Sequence, residues 1–280
     1  MSATLLERVE PWSKVVLALT GLTLVFTGLG LFLLPEYAAD NFAWAVSPFL
    51  AMTIGGWAVG LGIMSLDAAR GWARDGLSRV YASVVAVWLF CVLELAVVIS
   101  FAAALRADHW LTYPYVLALA LGVISAALGA PVLWRRRRLL AAQGDGNPGW
   151  VRAVYALFAL GTFGLAVAAL TLDVSTASVV PEPLSRFSAS AFAAFLAALG
   201  CGALPMVVTR DVEPAAQYAR AGLFPNVLVL AAALGFSSSF DLGARPGGWL
   251  YIGAYVLAAV IALAIVVWYR RATAGPSWTP

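Results

Sequence analysis

Charge is scarce in this chain. Asp, Glu, Lys and Arg together make up 11% of the residues against 62% apolar ones, and the mean hydropathy is +0.90. Such a balance lies well outside soluble domains and marks a polytopic membrane protein. Histidine is nearly absent as well: His109 stands alone, so a haem held by two histidines is excluded within this chain. The two cysteines, Cys91 and Cys201, lie inside apolar runs and outside any CxxC pair. They read as small core residues rather than redox or zinc ligands, and no metal site is expected. Also missing are a Walker loop, a dinucleotide fingerprint, an HExxH pair, a nucleophile elbow and paired intramembrane carboxylates. Lipid, quinone and pigment remain the open classes of bound cofactor.

What is present in quantity is long apolar sequence. A helix needs about 20 apolar residues to cross a hydrocarbon core of about 30 Å. Eight such stretches fall near 15–34, 46–66, 81–105, 112–134, 151–172, 188–208, 221–240 and 248–269. They must be helical, because a backbone facing lipid has to satisfy its own hydrogen bonds. The fold class expected is therefore an all-α integral membrane protein with eight transmembrane helices. The first apolar stretch is too long for a secretory h-region, and its end is echoed later in the chain, so it is read as retained.

Basic residues assign the sides. With both termini cytoplasmic, 14 of the 17 cations lie inside, and only Arg106, Arg186 and Arg245 lie outside. The run Arg135 to Arg138 reads as a stop-transfer anchor. The net charge of +3 then reflects topology, and nucleic acid is not expected as a partner. A bacterial inner or plasma membrane is the expected location.

The chain also echoes itself. Phe49 to Gly56 resembles Phe195 to Gly202, Pro35-Glu36 resembles Pro181-Glu182, and Arg106 precedes Trp110 by four residues as Arg245 precedes Trp249. Ordered matches of this kind indicate duplication. They divide the chain into a four-helix repeat at 1–138, a cytoplasmic linker at 139–150 and a second four-helix repeat at 151–280. An even number of spans per unit orients both repeats the same way.

Small residues mark close helix approach in lipid. Gly56 and Gly60 form a GxxxG pair with Gly55 and Gly62 beside them, Gly200 and Gly202 occupy the corresponding helix, and Gly164 with Ala168 offers a further stripe. These faces serve packing within the bundle or an interface with another subunit. Pro205 and Pro225 read as packing kinks.

Glu94 breaks the apolar pattern, placed near the middle of the third span with Trp88 and Cys91 on roughly the same face. A carboxylate at that depth costs several kcal/mol, and such residues face a cavity, a bundle interior or a partner. The alternatives are a ligand or proton site and a neutral acid bonded to a neighbouring polar group. At the outer boundary, Trp110, Tyr113, Tyr115, Trp249 and Tyr251 read as interfacial anchors. Arg106, His109, Trp110, Arg245 and Trp249 are the candidate rims of an outward-facing groove.

The run from Leu33-Leu34-Pro35, through Ile54-Gly55-Gly56-Trp57-Ala58-Val59-Gly60-Leu61-Gly62 and Arg70, to Glu94 resembles the DoxX-like group of small four-helix membrane proteins, here doubled. That resemblance implies a four-helix bundle per repeat and, for some members, service as an accessory subunit of a membrane redox complex. It assigns no reaction and no catalytic residue. Three functions stay open: a non-catalytic accessory or scaffold subunit, which is the first expectation; a small-molecule or ion transporter or binder using Glu94; and an intramembrane enzyme acting on lipid or quinone. The partners expected are membrane lipids, with other membrane subunits or further copies of the chain.

Overall fold

The computed structural model describes residues 3–140, 147–171, 181–209 and 211–273, with the side chains of 3–6, 137–140 and 239 left aside. Residues 141–146 of the expected linker, Asp173, the echo at Val179-Val180 and Arg210 lie outside the described residues.

The described residues form α1 (Ala3–Leu33), a short α2 (Pro35–Asn41), α3 (Pro48–Arg74), α4 (Leu77–Ser100), α5 (Thr112–Leu140), α6 (Gly149–Thr171), α7 (Arg186–Val208), α8 (Val212–Gly235) and α9 (Gly247–Thr273). All but α2 are long and apolar enough to cross a membrane, so this is an all-helical, multi-pass integral membrane protein. Several helices run further than hydropathy suggests. The second span, expected to end near residue 66, continues as helix up to Arg74, and α4 starts at Leu77 after a two-residue turn. Gly76 makes that turn with φ of 87°, a value that favours glycine.

α1, α3, α4 and α5 close into a four-helix ring, with α1 on α3 and α5, and α4 on α3 and α5. The later helices pack chiefly as two pairs, α6 with α7 and α8 with α9. Each pair docks on the ring by one helix: α7 lies along α4, and α8 lies along α3. α3 is thus enclosed on several sides and forms the most buried part of the fold.

Glycine makes this possible. A Cβ on Gly28 would stand 2.8 Å from the carbonyl oxygen of Gly55, and one on Gly21 2.8 Å from that of Gly62. The pairs are spaced seven residues apart on both helices, so α1 and α3 touch backbone to backbone over two turns. The neighbouring face of α3 carries Gly56 and Gly60, which meet Leu228 and Pro225 of α8. Pro225 is therefore seated against a glycine. In α7, Gly200 receives Thr162 and Phe163 of α6, and Gly202 receives Tyr218 and Ala86.

An aromatic seam fills the rest of the contact between the two sets of helices. Trp57 stacks on Phe195 at 4.3 Å, Trp44 on Phe187 at 4.2 Å and Phe101 on Phe187 at 5.1 Å. Phe49 packs against Phe240 at 4.9 Å and Phe236 at 6.3 Å.

Polar knots fix the ring. Ser13 and Ser125 exchange hydrogen bonds with each other's carbonyl, at 3.0 and 2.9 Å, and Trp88 Nε1 donates to Ser125 Oγ at 3.0 Å. At the basic end, Glu10 accepts from Trp72 Nε1 at 2.9 Å and from Arg136 at 2.8 Å, with Lys14 at 3.3 Å. Arg136 thus ties α5 to α1, a role beyond that of a charged anchor. Arg79 pairs with Glu213 at 3.2 Å and Arg220 with Asp67 at 3.3 Å, closing α8 onto α4 and α3.

These packings separate the glycines into two kinds. Gly28→Ala should destabilise by about 1–3 kcal/mol, because the new methyl meets backbone on the facing helix. Gly164 has no atom within 4 Å of its Cβ position. Gly164→Ala should therefore be neutral or stabilising by about 0.4–1 kcal/mol through the unfolded chain. Thermal unfolding in one detergent would show the opposite signs.

Candidate functional site

Glu94 is 1% exposed although it carries a carboxyl group. α4 ends at Ser100, so Glu94 stands six residues from the helix end, about 9 Å at 1.5 Å per residue. It lies nearer the end opposite the basic one than the expected span of 81–105 placed it. The chain leaves the helix early because a 3-10 turn at Ala102–Ala104 follows directly.

Tyr115 of α5 donates its hydroxyl proton to Glu94 Oε1 at 2.6 Å, and Glu94 Oε2 has no hydrogen-bond partner among the described residues. Tyr115 is 2% exposed and Tyr251 6%. Both face inward, which corrects their reading as interfacial anchors. Tyr113, Trp110 and Trp249 of the same group are exposed, at 66%, 45% and 63%.

Glu94 and Tyr115 border a cavity of about 10 Å³, room for one water molecule. α3 contributes Ile54, Trp57 and Ala58, and α4 contributes Phe90 beside Glu94. The wall is completed by Trp44 from the segment before α3 and by Ala191 of α7. Residues from both sets of helices thus meet here, at the aromatic seam. Trp44 Nε1 donates to Ser188 at 3.1 Å and Trp57 Nε1 to Tyr255 at 3.1 Å, so both indole donors are engaged outside the cavity.

Of the three residues grouped around the intramembrane acid, only Glu94 lines the space. Trp88 is held in the Ser13–Ser125 knot, and Cys91, fully buried, packs against Gly122 of α5. The missing partner, Tyr115, had a signal in its spacing: it lies three residues into α5, at the same end of the bundle as Glu94.

A second polar group lies at the same end. Ser47 caps α3 by accepting from Leu50 N at 3.1 Å, and it donates to Glu182 Oε1 from the segment before α7. Burial pushes the Glu182 carboxyl above its usual range, while the Ser47 hydrogen bond and the nearby Arg245 guanidinium pull the other way. Thr53 and Tyr255 lie beside the buried Tyr251. Arg106, His109 and Trp110 do not line the cavity. Arg106 N donates to Ala43 O at 2.7 Å, His109 N to Arg106 O at 3.1 Å, and Trp110 Nε1 to the Tyr37 hydroxyl at 3.2 Å. Arg245 therefore stands with the Glu182 group, Trp249 is exposed, and the Arg106 side of the expected rim joins the loops around α2.

Compared with known protein families, with curated proteins and with solved structures, the chain matches none.

Removing the Tyr115 hydroxyl leaves a buried carboxyl with neither oxygen paired. Tyr115→Phe should cost about 1–3 kcal/mol. The same change in a Glu94→Leu background should cost less, and a double-mutant cycle of unfolding midpoints reads the difference. Glu182 has the opposite sign from a salt-bridged acid. Between the usual carboxylate range and its raised folded value, the folded state holds a proton that the unfolded state has lost. Stability should rise as pH falls through that window, and Glu182→Gln should flatten that part of the profile of melting temperature against pH.

Proposed function

We propose that the protein is a non-catalytic binder or carrier of a small ligand, held at Glu94 where two four-helix repeats meet in a bacterial inner membrane. The observation that carries this reading is the unpartnered Glu94 Oε2 beside a cavity walled by both sets of helices. A buried acid without a full set of partners is costly in a membrane interior, and it is most often retained for a ligand or proton.

The repeat reading is supported by the pattern of helix contacts. With α3 matched to α7 and α4 to α8, the contact of α3 with α8 is the counterpart of that of α7 with α4, as a pseudo-twofold requires. Phe49 against Phe236 is likewise matched by Phe187 against Phe101. α4 and α8 both have 24 residues, and both end in a Phe followed by a 3-10 turn. This register pairs Glu94 with Val229, and the N-caps Ser47 and Ser185 pair Phe49 with Phe187 rather than Phe195. The positive-inside distribution favours an orientation with both termini in the cytoplasm and the Glu94 end outside.

A second reading is the accessory or scaffold subunit that the DoxX-like resemblance implies. It is favoured by the open small-residue positions Gly161 and Gly164 of α6 and Gly253 of α9, which among the described residues meet no atom beyond their own stretch of helix.

Native mass spectrometry after gentle detergent extraction separates the two. The binder reading expects one chain or a homo-oligomer retaining a small ligand that Glu94→Gln releases. A stoichiometric companion protein, with no ligand that depends on Glu94, would replace it with the subunit reading.

A further inference from the structure

The two sets of helices exchange arms at the end opposite the basic one. Trp44 stands three residues before Ser47, the N-cap of α3, and Glu182 stands three residues before Ser185, the N-cap of α7. Each reaches across to the start of the other set's helix. Trp44 Nε1 donates to Ser188 at 3.1 Å, and Glu182 accepts from Ser47. The arms are counterparts in the register proposed above, but they differ in kind, since one ends in a carboxyl group and the other in a large ring.

The Trp44 arm lies over Glu94. Its ring meets that of Tyr115, the hydrogen-bond partner of Glu94, at 5.6 Å and stacks on Phe187 at 4.2 Å. Phe42 packs on Trp44 at 4.5 Å and Phe101 on Phe187 at 5.1 Å, completing an aromatic plug. Glu94 is six residues, about 9 Å, from the end of α4 on this side, and 17 residues, about 26 Å, from its start at Leu77. The shortest aqueous route to Glu94 therefore runs through the plug. None of the plug's side chains is charged, so no ion pair has to break for Trp44 to move. Its one side-chain hydrogen bond, to Ser188, can be exchanged for one to water.

We propose that Trp44 is the gate of the Glu94 site: its ring leaves Phe187 and Ser188 to admit a ligand from the end opposite the basic one, and returns to close over it. The proposal rests on the binder reading above and adds the route of entry. Arg79 with Glu213 and Arg220 with Asp67 hold the two sets together at the basic end, so opening is confined to the end where the arms cross.

The test follows access to position 94 in the full-length protein in detergent. In Glu94→Cys, with Cys91→Ala and Cys201→Ala removing the native thiols, a charged, water-soluble methanethiosulfonate should react slowly. Adding Trp44→Ala should raise the rate about tenfold or more, since reaction through a local opening follows the population of the open form. Ser188→Ala removes only the hydrogen bond to Trp44 and should raise the rate about two- to tenfold. Trp72→Ala deletes a buried ring of the same size at the basic end and should leave the rate unchanged. Fast reaction in Glu94→Cys alone, an equal rise with Trp72→Ala, or no rise with Trp44→Ala would overturn the proposal, and Ser188→Ala decides in its place if Trp44→Ala does not fold. So would fast reaction of a neutral, lipid-soluble maleimide in every variant while the charged reagent stays slow in all, which puts the entry route through the lipid. Each of these results leaves the binder reading standing, because that reading depends on a ligand released by Glu94→Gln. If native mass spectrometry finds no such ligand, the binder reading fails and the gate has nothing to admit.

Discussion

Close backbone approach along α3 is the constraint on which the rest of the structure depends. One face of this helix, through Gly55 and Gly62, meets α1, and the adjoining face, through Gly56 and Gly60, meets α8. In lipid there is little hydrophobic gain from joining two apolar helices, so packing at short range has to supply the attraction. Two glycine faces on a single helix let it contact both sets of helices at once. The aromatic seam then forms at the α3 residues that are not glycine, Trp57 and Phe49, and Trp57 is one of the rings that border the small space beside Glu94.

The two ends of the bundle are held by different physics. At the basic end, Glu10, Arg136, Trp72 and Lys14 form a network in which the acid is only 14% exposed, and two further ion pairs tie α8 down. Networks of this kind are worth more than isolated surface pairs. At the other end, contacts between the sets run through rings, Ser188 and the Ser47–Glu182 bond. Motion between the two sets would find less electrostatic resistance there, on the side where the Glu94 cavity lies.

Much of this architecture was legible in the residues, and the misreadings have definite causes. Eight apolar runs became eight long helices because the bilayer requirement is written in composition. Gly56 and Gly60 could be recognised by their four-residue spacing, but their partner α8 could not, since spacing describes one helix and not its neighbour. Gly21 and Gly28 escaped notice because a seven-residue interval leaves no local signature. Tyr115 looked like a headgroup anchor because it shares a stretch with Trp110 and Tyr113, and only the fold shows which of those rings turn inward. The depth of Glu94 was misjudged because hydropathy continues through Phe101 and the alanines after it, where the helix has already ended.

The proposed repeat register bears on function at Glu94 itself. On that register the position matched to Glu94 of α4 is Val229 of α8, which is fully buried. An apolar residue would then occupy the corresponding point, and the helix contacts described above do not call for an acid at Glu94. A carboxyl group without a structural necessity, in a medium that penalises it, is best explained by something it binds. Tyr115 strengthens that argument, because it satisfies one oxygen and leaves the other without a partner among the described residues, in a side chain that borders a small cavity. An acid kept only for stability would be expected to have both oxygens paired, since each unpaired buried acceptor costs about 1–3 kcal/mol.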